Sequence, residues 1–492
     1  MKANALCLSA TLILIGTLAP ARTLGQSQNS TDEVRELRKL VEELRAQMSE
    51  MQTEIDQLRV GKPVASPPPA IAPIAPPTPQ QGTIEAPHPP RESTLSPQIG
   101  EATAEYQEFD EDAAATPRFD NLPLEPKYNG FFKLPGTQTI LKIGGFFKTD
   151  FIYDLKPAGN TFLFIPSSFP IPQVPGVYDT NVSIRPTRLS LDFRIPSTAL
   201  GEARLYLEGD MFGTNATTPR LRHAYAQVSN LLIGQTWTNF MDPDAIADSL
   251  DFRGPNGMVL LLNPQIRYGF ALGSSTTFYV SVERPSSDVF FQTPQFAAQP
   301  NSPSPDGTIR LLREFERGHF QVAGLFRSIA AYLPNGRADS VFGWGVNTSL
   351  GVRTIGMDNL IVAVASGRGI SRYIQDTSGL GIDAGPGTNP HLEATPGVGI
   401  EADYQHYWLK TLRSNAIYSY AAVINTDLAA AKTYNHATYT GANLIWNPYG
   451  SLNVGAEFLY GWTILQNGQK ANAPRIQFSA KYSFVKVEQN QK

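Results

Sequence analysis

Arginine is the residue type whose spacing carries chemistry in this 492-residue chain. Arg188, Arg194, Arg204, Arg267, Arg327 and Arg475 occupy the polar parity of segments in which every second residue is apolar, while Arg185 and Arg222 stand near segment ends. A guanidinium presents a planar fork of donors that holds a carboxylate or phosphate through two parallel hydrogen bonds. Set around a narrow water-filled passage, such groups raise the local concentration of anions. The competing reading is structural, because Asp192, Glu202, Glu208 and Asp210 lie on the same segments and are available as ion-pair partners. A second charged group falls in the stretch 241–257, which mixes Asp242, Asp244, Asp248 and Asp251 with Arg253. Its apolar continuation, Met258-Val-Leu-Leu-Leu262, argues against full exposure. The expectation is a loop folded inward that sets a constriction; the alternative is an outward surface loop.

Catalytic patterns are missing from the sequence. The six histidines show no HExxH spacing, there is no CxxC pair, and neither a GxSxG elbow nor a Walker loop occurs. Gly367-Arg-Gly369 reads as loop glycines. No metal, no cofactor, no nucleic-acid partner and no enzymatic activity are expected. A Ser/His/Asp set dispersed over separate strands is the one arrangement that pattern inspection leaves open.

The arginines need strands to position them. In Arg475-Ile-Gln-Phe-Ser-Ala-Lys-Tyr-Ser-Phe484 the residues Ile476, Phe478, Ala480, Tyr482 and Phe484 alternate with polar ones. Period two places one set on each face of a strand. The pattern recurs: Leu141, Ile143, Phe147, Phe151 and Tyr153 oppose Lys142, Lys148, Asp150 and Asp154, and Leu189, Leu191, Phe193 and Ile195 oppose Arg188, Asp192 and Arg194. Leu205, Leu207 and Met211 oppose Arg204, Glu208 and Asp210. Connections alternate in length. Long ones are expected near 155–181, 213–219, 240–263, 285–307, 333–340, 369–396, 422–436 and 465–474. Tight turns are expected near Ser197–Leu200, Asn230, Gly273–Ser275, Arg317–Gly318, Ile355–Met357, Trp408–Lys410 and Asn447–Gly450. Eight long and seven short connections make 16 strands, the arrangement of an antiparallel transmembrane β-barrel with long outer loops and short periplasmic turns. Closure is required because an open sheet edge has no water to bond to in lipid. The fold class is therefore all-β, with both barrel ends on the short-turn side.

The N-terminal quarter reads differently. Lys2, the apolar run Leu6–Leu18 and Ala19-Pro20-Ala21 make residues 1–21 a secretory signal peptide that contains the single cysteine, Cys7. Residues 30–60 carry Val34, Val41, Met48 and Ile55 at a positions and Leu37, Leu44, Met51 and Leu58 at d positions, the pattern of a coiled-coil helix. With both barrel ends on the short-turn side, this rod is placed in the periplasm. Residues 61–126 are a proline-rich linker, with Pro67-Pro68-Pro69 and Pro87-His88-Pro89-Pro90, expected to be disordered. The barrel then spans 127–484 and a tail follows at 485–492. Residues 127–492 carry 30 basic against 26 acidic groups, net +4, whereas 1–126 carry 10 against 18. The barrel is mildly basic, which favours anions, and its partners are expected to be outer-membrane lipids.

With these features together, the chain resembles the DcaP-like outer-membrane porins. The resemblance rests on the heptad segment, the linker, Gly130-Phe-Phe-Lys-Leu-Pro-Gly136, Leu141-Lys-Ile-Gly-Gly145, Gly234-Gln-Thr-Trp-Thr-Asn-Phe240, Gly369-Ile-Ser-Arg-Tyr373 and Phe478-Ser-Ala-Lys-Tyr-Ser-Phe484. It implies a homotrimer of 16-stranded barrels in the outer membrane of a Gram-negative-type bacterium, a periplasmic coiled coil, and uptake of small anionic solutes such as dicarboxylates. Two departures stand out: the linker is long, and Val485–Lys492 follow the usual terminal aromatic, Phe484. The alternatives are a phosphate-selective porin, or a barrel serving mainly as an anchor whose rod reaches toward the cell wall.

Overall fold

The computed structural model describes residue 128 and residues 130–484, apart from 214–216, 291, 294–295, 298, 333–336 and 388–390. The signal peptide, coiled coil, linker and terminal tail of the sequence reading lie outside the described residues.

Sixteen strands form a closed ring. In chain order they are β1 (Ile140–Asp154), β2 (Asp179–Ser183 continued by Arg188–Thr198), β3 (Gly201–Asp210), β4 (Arg220–Val228), β5 (Leu231–Trp237), β6 (Leu262–Ala271), β7 (Thr276–Glu283), β8 (Asp306–Phe315) and β9 (Gly318–Tyr332). The ring continues with β10 (Ala338–Arg353), β11 (Asn359–Arg368), β12 (Pro396–Leu409), β13 (Leu412–Val423), β14 (Tyr434–Tyr449), β15 (Leu452–Leu465) and β16 (Lys470–Ser483). Each strand pairs antiparallel with its sequence neighbours. The last closes on the first, from Phe146 opposite Ser483 to Asp154 opposite Arg475. No edge is left, which satisfies every ladder group without water.

The second strand is broken. Its two pieces pair with different ends of β1, and the break at 184–187 falls between them. Gly145, at φ +134°, makes this possible: a Cβ there would run into the carbonyl oxygen of Arg188 and stand 3.0 Å from the ring of Phe484.

The alternation of turns and loops holds in position, but two loops are shorter than expected. The connections 333–337 and 466–469 are as short as the turns. There the strands run on instead: β9 and β10 have 15 and 16 residues, β15 and β16 have 14 each. Alternating residues continue to pair past the point where the sequence pattern was read as ending, so these hairpins extend as ladders.

The two faces separate as the pattern requires. Ile143, Phe147, Phe151, Leu205, Val346 and Phe478 point outward and are exposed, forming an apolar belt. Aromatics gather at both rims: Phe315, Trp408, Trp446 and Tyr482 toward the short turns, Tyr178, Tyr332 and Phe342 toward the long loops. Among the described residues no helix is long and apolar enough to cross a membrane.

Candidate pore lining and loop junction

Strands β2 to β4 form one inward sector in which arginine pairs with acid. Arg204 donates to both oxygens of Asp192 at 2.9 and 2.8 Å. Arg194 reaches the same carboxylate at 2.9 Å and Glu202 at 3.2 Å. Toward the long loops, Arg222 bonds Glu208 at 3.0 Å and Asp210 at 3.1 Å, and Arg220 bonds Asp210 at 2.6 Å. Arg188 lies 3.9 Å from Glu208. Arg188, Arg194 and Arg204 therefore do not make one basic patch. Arg194 and Arg204 are cross-strand partners sharing Asp192 near the 199–200 turn, whereas Arg188 joins Arg222. In two of these pairs the cation is clearly the more accessible partner: the Arg188 side chain is 13% exposed against 4% for Glu208, and Arg220 is 39% against 0% for Asp210. Arg204 is the reverse, 2% against 10% for Asp192.

Residues 238–261 cross the interior. Asn239 donates to Thr308 of β8, and Asn347 of β10 donates to the carbonyl of Phe240. Asp242 accepts from Ser349 and lies 2.9 Å from His319 Nε2. Burial alone would raise the Asp242 pKa, but His319 and Ser349 hold the carboxylate below its usual value. Asp244 donates its amide to Asp242. Asp248 accepts from Arg413 at 2.6 Å and Gln405 at 3.0 Å; against burial, Arg413 keeps it ionised. Ser249 and the Asp251 amide donate to Glu457 of β15, and Lys148 and Gln477 both donate to the Leu250 carbonyl. Further on, Gly257 packs so tightly against Ile400 and Tyr420 of the wall that a Cβ would strike their carbonyl oxygens. Phe252 spans to the other side, its ring 5.4 Å from the guanidinium carbons of both Arg188 and Arg222 and stacked on Phe212. The inward folding expected from Met258–Leu262 is thus present, with Met258 and Val259 buried.

Two more loops meet this one. From 155–178, Phe164 donates its amide to Asp251 at 3.1 Å and packs on Tyr439. From 369–395, Gln375 and Asp376 donate their amides to the carbonyls of Met258 and Asn256. Ser167 then bonds Asp376, joining the first loop to the third. Burial pushes Asp251 up to about 6, opposed by Arg475 and the two backbone amides it accepts from. Arg253 is bonded to the Gln375 carbonyl at 3.3 Å, and burial, then the nearby Arg220, lowers its pKa. Arg327 lies under this junction. It bonds Asp383, Ser286 and Gly369 and its side chain is fully buried. Arg475 is equally enclosed, forked onto Asp154 at 2.6 and 2.8 Å.

Arg267 projects inward from β6 beside Tyr279, as its parity indicated. Sequence reading passed over Arg310, Arg372 and Arg413. The signal for Arg310 was present, since Ile309 and Leu311 on either side are exposed. It was blurred because Leu312 turns inward and Arg313 outward.

An antiparallel barrel of 16 strands with an apolar outer belt, a charged interior and a loop folded across it is an outer-membrane channel of the porin type. The chain belongs to the DcaP outer membrane protein family, whose model matches residues 129–484. Comparison with curated proteins returned no match. Among solved structures, the outer membrane channel DcaP of Acinetobacter baumannii superposes with TM-score 0.63 at 23% identity, covering 72% of this chain and 99% of that one. An anion-selective porin from Comamonas acidovorans aligns at TM-score 0.46 and 10% identity over 70% of this chain and all of that one. OmpT of Vibrio cholerae aligns at 0.44 and 13%, over 71% and 99%. Members of such families are channels, and the location is the outer membrane.

Proposed function

We propose that this channel passes small solutes passively and prefers anions, dicarboxylate-like ones among them. The observation that carries the reading is the asymmetry of two ion pairs on β2–β4, in which Arg188 and Arg220 are more accessible than the carboxylates they face. A permeating ion then meets guanidinium first. Field lines between low-dielectric walls are less screened than at an open surface, where they fade over about 10 Å in 0.1 M salt. The pore-lining set is Arg188, Arg194, Arg204, Arg222 and Arg267, with the 238–261 loop as the constriction. A homotrimer with the heptad segment in the periplasm belongs to the same proposal, and removing Glu33–Arg59 should leave the trimer intact in native mass measurements.

Planar-bilayer reversal potentials in a salt gradient test the preference. The wild type should favour chloride over potassium, and Arg188→Ser with Arg220→Ser should move the potential toward cations. A wild type without anion preference refutes the reading and leaves the anchor alternative.

A further inference from the structure

The junction of the three inward loops is held by two enclosed carboxyl groups without a counter-ion. Asp251 and Asp376 are 4% and 1% exposed. Among the described residues no cation lies within ion-pair distance of either, whereas Asp242 and Asp248 of the crossing loop lie 2.9 Å from His319 and 2.6 Å from Arg413. Both unpaired groups are bridges. Asp251 Oδ1 accepts the Phe164 amide of the 155–178 loop at 3.1 Å, and Oδ2 accepts the Gly254 amide at 3.0 Å. Asp376 Oδ1 accepts the Ser167 amide at 2.9 Å, while Oδ2 accepts the Tyr434 hydroxyl at 2.8 Å and the Asn256 side-chain amide at 3.3 Å. The segment Phe164–Ser167 is therefore held at one end by the crossing loop and at the other by the 369–395 loop.

Enclosing a carboxylate without a counter-ion is unfavourable, and such a group takes up a proton instead. Burial raises the pKa of both, Asp251 to about 6. The cations that act on them from a distance are engaged elsewhere. Around Asp251, Lys148 of β1 is bonded to the Leu250 carbonyl and Arg475 of β16 to Asp154. Tyr439 of β14 faces it as well, and Glu457 of β15, which accepts the Asp251 amide at 2.9 Å, adds like charge. Asp376 faces Tyr434 of β14, and Arg253, which acts on both carboxyls, is bonded to the Gln375 carbonyl.

If the 155–178 loop lifts, both carboxyls return to water and to their ordinary value of 3.8. The joined state then binds protons that the separated state releases, so joining is favoured at acid pH and loses that contribution as pH rises through about 6. For Asp251 alone, a rise from 3.8 to about 6 makes joining on the order of a hundredfold less favourable above about pH 7 than below about pH 4.

We propose that Asp251 and Asp376 make the loop junction a proton-dependent clasp on the long-loop entrance of the channel: with both carboxyls protonated the three loops stay joined, and with both ionised the 155–178 loop is released. The clasp controls how wide the entrance stands and does not depend on which ions the channel prefers.

The test measures single-channel conductance of the whole protein in planar bilayers at constant ionic strength, at about pH 5 and about pH 8. The wild type should conduct about twofold better or more at the higher value. Asp251→Asn combined with Asp376→Asn keeps the shape of the protonated groups and removes their titration, so its conductance should stay at the acid level at both values. Equal wild-type conductance at the two values overturns the proposal, as does a double variant that follows pH as the wild type does. Should the double variant not insert, amide hydrogen exchange of the wild type decides. Protection of the Phe164 and Ser167 amides, taken relative to the intrinsic rate at each pH, should fall severalfold from acid to alkaline conditions, and constant protection overturns the clasp. Reversal potential in a salt gradient reports ion preference separately, so the clasp and the anion-preferring reading can each fail alone.

Discussion

Two regions of the barrel interior solve the same problem differently. Between β2 and β4, charges are satisfied by the adjoining strands: Arg204 and Asp192 are 12 residues apart, Arg222 and Glu208 14. Between β9 and β1, they are satisfied by loops or by the seam: Arg413 meets Asp248 across 165 residues, Glu457 meets Asp251 across 206, and Arg475 meets Asp154 across 321. The first leaves Arg188, Arg194 and Arg220 partly accessible, with Arg204 and Arg222 buried beside them. The second withdraws Arg327 and Arg475 fully under cover. An inward-facing arginine is thus not by that fact a pore arginine, and what distinguishes them is whether a loop lies over it.

The largest test of this contrast removes the cover. Replacing residues 242–256 by a short Gly/Ser linker should raise single-channel conductance severalfold while the barrel stays assembled. Unchanged conductance would place the narrowest point elsewhere. Next in size is a comparison of two arginines by urea unfolding. Arg475→Ala leaves Asp154 enclosed without its fork and should cost about 3–5 kcal/mol. Arg188→Ser, at the open edge, should cost about 1 kcal/mol or less. Equal losses would erase the distinction between covered and open charges. The smallest effect is a pH dependence. Asp251, ordinarily near 3.8, is pushed up to about 6 in the folded chain. The folded state then binds more protons between those values, so this group favours folding at the acid end and loses that contribution as pH rises through 6. The difference in unfolding free energy between wild type and Asp251→Asn should change by on the order of 2 kcal/mol between pH 4 and 7. A flat difference would mean that Asp251 is not buried under the 155–178 loop as described.

The wall was largely legible because a strand exposed to lipid on one side and water on the other repeats every two residues, and β1, β3 and β16 do so cleanly. Legibility failed where a loop covers the inner face. Leu325, Ile329, Tyr439 and Leu459 are apolar and point inward, because the crossing loop and its neighbours pack on them. At such positions both faces are greasy and period two disappears. The inward fold of 238–261 was hinted at by Met258–Leu262, yet its contacts were not, since Asp248–Arg413 and Ser249–Glu457 depend on which strands the loop passes over. Pairing within the β2–β4 sector was likewise hidden. Arg188 and Arg194 share a face and a strand, and only the register with β3 sends one to Glu208 and the other to Glu202.

The seam between β1 and β16 has a consequence for chain order. Phe484 donates its amide to the Gly145 carbonyl, so the residue just past the last strand lies within a hydrogen bond of the first. The ring has no intrinsic beginning. Linking Phe484 to Ile140 through a few residues, and opening the chain in the five-residue connection at 333–337, would permute the sequence circularly while every ladder keeps its register. The linear order then matters only to the sequence of insertion, with β10 entering the membrane first and β9 last.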